Sequence, residues 1–192
     1  VVQASSINAL GCFFNTGPFE PKYFPIDEQH PSHTTDAYSF SKCVVEEIAD
    51  YYWRRDGINS VSLRLPGVQS SDAETIRKRH DHRAHDQEFI QELLDMPPDA
   101  RRKRIDIARE WTIAYRRKRP MDHGVELPRS ERRSCPDREL CHMYSGGAFN
   151  LWVNVDERDA AQAIEKGLTA DYEGSHRLYI NDAQNSVGCG TR

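Results

Sequence analysis

A strand, a capped helix, a short turn and a second strand follow one another in the first third of the chain, and this order constrains the fold most. Residues 1–4 read as a core strand that ends in two serines, and residues 60–65 read as the next strand, which a Pro-Gly pair ends. Because two parallel strands need a crossover between them, a helix in this position predicts a parallel sheet.

Cap and stop signals place the helix of this unit. Thr34, Thr35 or Asp36 can cap its start, and Gly57 can stop it after Arg55. Apolar residues at helical spacing predict its buried stripe, which consists of Val44, Val45, Ile48, Tyr51 and Tyr52.

The rest of the chain is predicted to contain further helices, an irregular loop and two more strands. Residues 72–119 have helical patterns that are broken into two or three pieces at Pro97-Pro98. The further predicted elements are an irregular loop over residues 120–147, a strand over 149–155, a helix over 159–169 and a strand over 178–181.

Composition limits the classes of protein. The chain has 192 residues, enough for one sizeable core and a smaller appendage. No apolar run reaches the roughly 18 residues that cross a bilayer. Its five cysteines are an odd number without regular spacing, so we expect a reduced, cytoplasmic setting. The sequence enters a core strand at once, and we expect it to be a piece of a longer protein.

Two groups of residues have metal-ligating side chains, but neither has a pattern that favours a metal site. Cys135 and Cys141-His142 fit no zinc spacing well. The histidines of residues 80–85 lie in a charged segment, where such side chains are usually solvated. We therefore expect no metal site.

Charge is distributed unevenly along the chain. Residues 74–133 contain 16 Lys and Arg against 12 Asp and Glu, whereas the remainder contains 10 against 18. A basic stretch can bind nucleic acid, but acids are interleaved here and aromatics are sparse, so a solvated helix face is favoured. A substrate that carries phosphate or carboxylate is an intermediate alternative. We expect neither a nucleic-acid partner nor a membrane partner.

Tyr38 and Lys42 lie in the first turns of the predicted helix and are candidate residues for proton transfer. Their spacing puts both side chains on one helical face, where the ammonium favours the ionised form of the phenol. With a serine hydroxyl from the end of the first strand alongside, the three groups could move a proton on or off an alcohol or carbonyl oxygen. Hydride transfer to or from a nicotinamide ring needs this chemistry.

Several segments together carry a likeness to one enzyme family. They are residues 1–11, residues 25–31, Tyr38-x3-Lys42, residues 63–68 and residues 152–161. These segments resemble the extended short-chain dehydrogenase/reductase family, which includes NAD-dependent sugar epimerases and dehydratases. The family's active-site Ser or Thr stands five residues before a glycine, and this count selects Ser6 over Ser5. The family's glycine-rich phosphate loop is not in this sequence.

The resemblance implies roles for particular residues. Tyr38 would be the general acid/base, Lys42 would assist it and hold the nicotinamide ribose, and Ser6 would hydrogen-bond the reacting oxygen. Ser6 would contact the substrate, a sugar nucleotide or related small molecule. Thr35 is either a further substrate contact or a helix cap. The cofactor, NAD or NADP, would contact Tyr38, Lys42, Pro66, Gly67 and Val68.

Three charged residues have weaker predictions. Glu28 is either a substrate contact or a turn acid. Arg64 is expected in a buried-edge ion pair rather than at a substrate. Asp159 is expected to cap a helix.

The resemblance also implies the fold. We expect an α/β protein with a partial, Rossmann-type doubly wound parallel sheet and a small, mainly helical substrate-binding portion. Residues 1–69 would be the second half of the Rossmann-type domain with the catalytic helix, residues 70–147 the substrate-binding insert, and residues 148–192 a returning strand–helix–strand segment. Family members often dimerise through the helix that bears the tyrosine, so a homodimer is expected.

The predicted function is that of an NAD(P)-dependent oxidoreductase or epimerase/dehydratase that acts on a hydroxyl or keto group. Two alternatives stay open. A non-catalytic relative could keep the fold as a regulatory or binding module, which the lack of a phosphate loop and the long basic insert favour. A nucleic-acid binder acting through the basic stretch is the other, and its affinity should fall steeply with salt.

Overall fold

A parallel sheet of three strands is the centre of the fold. The computed structural model describes residues 1–11, 20–118, 134–145 and 153–183. The strands are β1 (Val2–Ser6), β2 (Ser60–Leu65) and β5 (Ser175–Tyr179), in the spatial order β1-β2-β5. All neighbouring strands of this sheet run parallel, with Val2 opposite Val61 and Ser60 opposite Ser175. The prediction of a mixed α/β architecture with a parallel sheet is therefore confirmed.

Helix α1 (Ala37–Asp56) makes the crossover from β1 to β2. Of the three predicted caps the structure selects Asp36, whose Oδ1 atom accepts a hydrogen bond of 2.7 Å from the N–H of Ser39. Gly57 ends the helix in the left-handed region, at φ 66°, and its N–H donates to the carbonyl oxygens of the last turn. The predicted limits of this helix are therefore confirmed.

The buried face of α1 differs from the predicted stripe. The buried residues of the helix are Ser39, Glu46 and Ala49. Val45 is half-buried, and the other four members of the predicted stripe are exposed, namely Val44, Ile48, Tyr51 and Tyr52. The prediction was wrong because it chose the most apolar face, whereas the sheet presents the polar side chains of β1 and β2 to this helix.

A second, two-stranded parallel sheet follows. It pairs β3 (Gly67–Gln69) with β4 (Asn154–Asp156). The chain then forms α5 (Glu157–Thr169) before it returns to the main sheet as β5. The Oδ1 atom of Asp156 accepts the N–H of Arg158 and caps α5, so the prediction that Asp159 caps this helix was wrong. Strand β5 begins at Ser175, earlier than the strand predicted over residues 178–181. The strand predicted over residues 149–155 corresponds to β4, and its residues 149–152 lie outside the described residues.

Three helices lie between β3 and β4 among the described residues. They are α2 (Ala73–Asp95), α3 (Pro98–Arg117) and α4 (Arg138–Ser145). The predicted break at Pro97-Pro98 is confirmed. The helices bury a cluster of side chains that consists of Phe89, Leu93, Ala108, Leu140 and Cys141. None of the described helices is long and apolar enough to cross a membrane.

Helix α4 lies within the segment that was predicted as irregular, so that prediction was wrong for residues 138–145. The Oδ1 atom of Asp137 accepts the N–H of Leu140 and holds the first turn, and burial of Leu140 and Cys141 anchors it. The high Pro, Gly, Arg and Ser content around it concealed this short helix. Residues 134–137 of the predicted loop are irregular, and its residues 120–133 and 146–147 lie outside the described residues.

Cys135 and Cys141 are joined by a disulfide in the structure. The odd number of cysteines had predicted reduced thiols, and this pair departs from that expectation. Cys43 is a free thiol whose Sγ atom donates to the carbonyl oxygen of Ala9, and burial raises the pKa of the Cys43 thiol.

Candidate active site

The carboxyl ends of β1 and β2 meet at one edge of the sheet. Ser6, the last residue of β1, lies opposite Leu65, the last residue of β2. Pro66, the residue after Leu65, therefore lies at the same edge of the sheet as Ser6, and β3 leads away from this edge. The register brings together the predicted serine and the start of the predicted cofactor segment.

Ser6 is buried at the junction of β1 and a 3-10 helix, Ile7–Leu10. Its Oγ atom accepts a hydrogen bond of 3.1 Å from the N–H of Asn8, so its hydroxyl caps this short helix. A lone pair is used in that bond, and the hydroxyl proton is a separate donor. Successive side chains of a strand point to opposite faces. The neighbouring Ser5 turns toward α1, where its hydroxyl donates to Glu46 over 2.6 Å.

Tyr38 and Lys42 lie in the first two turns of α1, and both are half-buried. The Nζ atom of Lys42 is 5.6 Å from the centroid of the Tyr38 ring. The same ammonium donates a hydrogen bond of 2.8 Å to the carbonyl oxygen of Ala4 in β1. One cation thus contacts the tyrosine ring and the strand that ends in Ser6.

The remaining predicted contacts are more exposed. Thr35 lies in the exposed segment directly before α1. Pro66 is half-buried between β2 and β3, whereas Gly67 and Val68 are exposed in β3. Their backbones pair with β4, with Gly67 opposite Asn154. The structure thus places Pro66 at the edge that holds Ser6, and it directs Gly67 and Val68 toward the smaller sheet.

Glu28 holds the loop before α1 against the main sheet. Its Oε1 atom accepts a hydrogen bond of 3.0 Å from the N–H of Tyr179 in β5. The carbonyl oxygen of Glu28 also lies 3.4 Å from the Nη1 atom of Arg64. These contacts favour the structural interpretation of Glu28 over a substrate contact.

A buried ion pair joins α1 to β2. The Nε and Nη2 atoms of Arg64 donate to the two carboxylate oxygens of Glu46 over 2.9 Å and 2.8 Å. The two side chains are 1% and 3% exposed. Burial by itself would lower the pKa of the Arg64 guanidinium, but the bonds to Glu46 outweigh it, so that pKa is raised and the charge persists. The prediction that Arg64 forms a buried ion pair is confirmed.

Sequence reasoning missed Glu46, although two signals pointed to it. It stands four residues after Lys42, on the face that holds the tyrosine and the lysine. Arg64, in an otherwise uncharged strand, also requires an anionic partner when it is buried. Arg177 of β5 extends the cluster, with its Nε atom 3.4 Å from Glu46 and its Nη2 atom 2.5 Å from Asp50.

An open cleft of about 630 Å³ lies at the opposite edge of the sheet. It is formed where α1 ends and where the segments that enter β2 and β5 begin, and it is lined by Trp53, Gly57, Asn59, Asp171, Tyr172 and Glu173. This position separates it from Ser6 and Tyr38, because amino and carboxyl ends of parallel strands lie at opposite edges. In the part of the chain that the structure describes, no group of three or more His, Cys, Asp or Glu side chains could hold a metal ion.

No known protein family, curated protein or solved structure matches this chain. The likeness to the extended short-chain dehydrogenases/reductases therefore depends on the motifs quoted above. What that likeness implies about activity, cofactor and substrate is a proposal.

Proposed function

We propose that this chain belongs to an NAD(P)-dependent oxidoreductase or epimerase/dehydratase that acts on a hydroxyl or keto group of a sugar nucleotide or related small molecule. The observation that carries this proposal is the position of Lys42. Its ammonium lies beside the Tyr38 ring and is bonded to β1 two residues before Ser6. All three groups belong to the elements that meet at the carboxyl edge of β1.

In the proposed reaction, a hydroxyl of the substrate lies between Tyr38 and Ser6. The tyrosine oxygen, as phenolate, would remove the hydroxyl proton while the carbon-bound hydrogen would pass as a hydride to the nicotinamide of a bound cofactor, and the carbonyl product would form. The reverse reaction returns the proton from the phenol to the oxygen of the carbonyl. Ser6 donates its hydroxyl proton in a hydrogen bond to the reacting oxygen, where negative charge develops.

The residues near Lys42 suit the nicotinamide-ribose end of NAD or NADP, which accepts or supplies the hydride when it is bound. A lysine ammonium has three N–H donors, and the carbonyl oxygen of Ala4 uses one of them. The other two suit the neighbouring hydroxyls of a ribose. Pro66 begins the backbone segment at the same edge. No glycine-rich phosphate loop occurs in the sequence, so the proposal concerns the ribose end alone.

The proposal extends to the architecture and the oligomeric state. The sheet β1-β2-β5 would belong to a larger Rossmann-type doubly wound sheet, of which residues 1–69 would supply the second half with the catalytic helix. Residues 70–147 would be the substrate-binding insert, and residues 148–192 the returning strand–helix–strand segment. A cytoplasmic homodimer is part of the same proposal. Phe40, Val44 and Ile48 follow one another at intervals of four residues on α1, and their exposed apolar side chains support the homodimer.

Exchange of Tyr38 for phenylalanine tests the proposed chemistry. The full-length protein would be assayed with NAD⁺ and NADP⁺ against a panel of nucleoside-diphosphate sugars. Tyr38→Phe should reduce turnover by roughly 10²–10⁴-fold, because it removes the proton-transfer group but keeps the ring. Tyr52→Phe, an exposed tyrosine of the same helix, is the matched control and should retain turnover. Equal turnover by both variants would refute the assignment.

A non-catalytic binding module is the second candidate, and the lack of a glycine-rich phosphate loop in the sequence and the long basic insert favour it. The open cleft lined by Trp53 and Tyr172 lies away from the proposed site. Fluorescence titration of the full-length protein with NADH and NADPH separates the two candidates. Saturable binding supports the enzyme, and no binding at millimolar cofactor supports the module.

A further inference from the structure

The cluster around Glu46 connects the elements that carry the proposed active site. Glu46 of α1 accepts hydrogen bonds from Ser5 of β1 and from Arg64 of β2. The Nη1 atom of Arg64 lies 3.1 Å from the hydroxyl oxygen of Tyr179 in β5. A helix and three strands thus converge on one carboxylate and one guanidinium.

Three members of this cluster, Ser5, Glu46 and Arg64, are near neighbours in sequence of a proposed site residue. Ser5 directly precedes Ser6. Glu46 follows Lys42 by one helical turn, on the same face of α1. Arg64 lies two residues before Pro66 in β2. Because a helical turn and a paired strand are stiff, displacement of the cluster residue displaces the neighbouring site residue.

Stability alone does not account for this arrangement. The cost of removing two charges from water offsets most of the attraction between them, so a buried ion pair is often no more stable than apolar residues of similar volume. A carboxylate bonded to both Ser5 and Arg64 does, however, define the orientation of α1 and its distance from β1 and β2. Apolar packing defines them less sharply.

We propose that Glu46 and Arg64 are positioning residues that set where Lys42 and Ser6 lie relative to each other. This inference rests on the proposed function. The carboxylate holds α1 at one rotation and one height against β1, and the Lys42 ammonium then reaches the carbonyl oxygen of Ala4. Without the cluster, α1 can pack against β1 at other heights, and Lys42 leaves this position.

An apolar replacement of the cluster separates positioning from folding. The variant Ser5→Ala/Glu46→Met/Arg64→Leu removes the carboxylate together with the donors of Ser5 and Arg64. Arg177 loses Glu46 but keeps Glu47 and Asp50, so no charge is left unpaired and the variant should stay folded. The first measurement is the acetylation rate of Lys42 by an N-hydroxysuccinimide ester, followed by peptide mass spectrometry. Lys78, whose side chain is 60% exposed, is the internal reference.

Positioning predicts that Lys42 is acetylated several-fold faster in the folded triple variant than in the wild type, while Lys78 is unchanged. Turnover should fall by roughly 10²-fold, since a displacement of about 1 Å has that effect on oriented groups. Unchanged acetylation of Lys42 in the folded variant would overturn the proposal. Glu47→Gln, a neighbour on α1 whose side chain is 67% exposed, is the matched control and should alter neither measurement.

A conservative variant keeps the test decisive if the triple variant does not fold. Glu46→Asp keeps the charge but shortens the side chain by one methylene, so the carboxylate cannot span the same distance. Faster acetylation of Lys42 again supports positioning, and an unchanged rate overturns it. The acetylation readout is independent of substrate. A wild type without turnover would therefore refute the proposed enzyme and leave the positioning of Lys42 measurable.

Discussion

The ammonium of Lys42 and the carbonyl oxygen of Ala4 are 2.8 Å apart, and this hydrogen bond joins helix α1 to strand β1. The lysine is also 5.6 Å from the ring centroid of Tyr38. A side chain that would be solvated on an ordinary helix surface therefore has a defined position at the edge where the strand ends. The role of Lys42 is both structural and, in the proposed enzyme, chemical.

Lys42→Met should affect stability and turnover together. Methionine keeps the apolar stem but removes the donor to Ala4, so we expect the free energy of unfolding to fall by about 1–2 kcal/mol. Turnover should be reduced far more than this loss of folded protein explains. Urea unfolding by circular dichroism measures the first effect. Lys78→Met is the control and should change stability by less than about 0.5 kcal/mol, because its ion pair with Glu74 is exposed.

Glu46→Ala should be strongly destabilising, because it leaves Arg64 buried without its carboxylate. We expect a loss of about 3–5 kcal/mol in the free energy of unfolding. Glu47→Ala on the next position of α1 should lose less than about 1 kcal/mol, since its partner Arg177 also bonds Asp50. Similar unfolding midpoints for the two variants would contradict the view that the Glu46 pair organises the sheet.

The sequence predicted this region unevenly, and the reasons are physical. Local signals such as the Asp36 cap and the Gly57 stop depend on nearby backbone groups, so the limits of α1 could be derived from sequence. The buried face of α1 could not, because it depends on what β1 and β2 present across the interface. The pairing of Glu46 with Arg64 reverses the usual preference for burying apolar residues.

The same distinction applies to the candidate site. Spacing placed Tyr38 and Lys42 on one helical face, and the structure bears this out. The contact of Lys42 with the Ala4 carbonyl depends on how a helix and a strand meet, whereas the use of Ser6 as a cap is a local contact with Asn8. Helix α4 was missed because its stability comes from burial of Leu140 rather than from intrinsic propensity.

Gly11→Ala should destabilise the protein more than Gly57→Ala. Both glycines have positive φ, at 88° and 66°, which costs an alanine roughly 1–2 kcal/mol. A Cβ atom at Gly11 would also lie 2.4 Å from the carbonyl oxygen of His33, whereas nothing lies within 4 Å at Gly57. Thermal unfolding of the two variants measures the difference. Equal midpoints would contradict this prediction, because they would show that the backbone at His33 moves away from the added Cβ atom without loss of stability.

The cap of α2 should add a pH-dependent contribution to stability. Hydrogen bonds from the side chain and N–H of Thr75 lower the pKa of Asp72 to about 2, from an ordinary value of 3.8. Because the pKa is lowered by folding, the stabilisation is complete above pH 3.8 and is lost as the pH falls through about 2. Asp72→Asn keeps the cap without this titration. Its melting temperature should match the wild type at pH 7 and fall less between pH 4 and pH 2, whereas parallel curves would contradict the assignment.

Protection of Lys42 by a nicotinamide cofactor tests the central claim most directly, and it needs no knowledge of the substrate. The full-length protein is acetylated with and without saturating NADH or NADPH, and the rates at Lys42 and Lys78 are compared by mass spectrometry. The account predicts that one of the two cofactors slows acetylation of Lys42 at least about tenfold, since the ribose would use its remaining donors, and leaves Lys78 unaffected. Equal rates at Lys42 with and without either cofactor would contradict it.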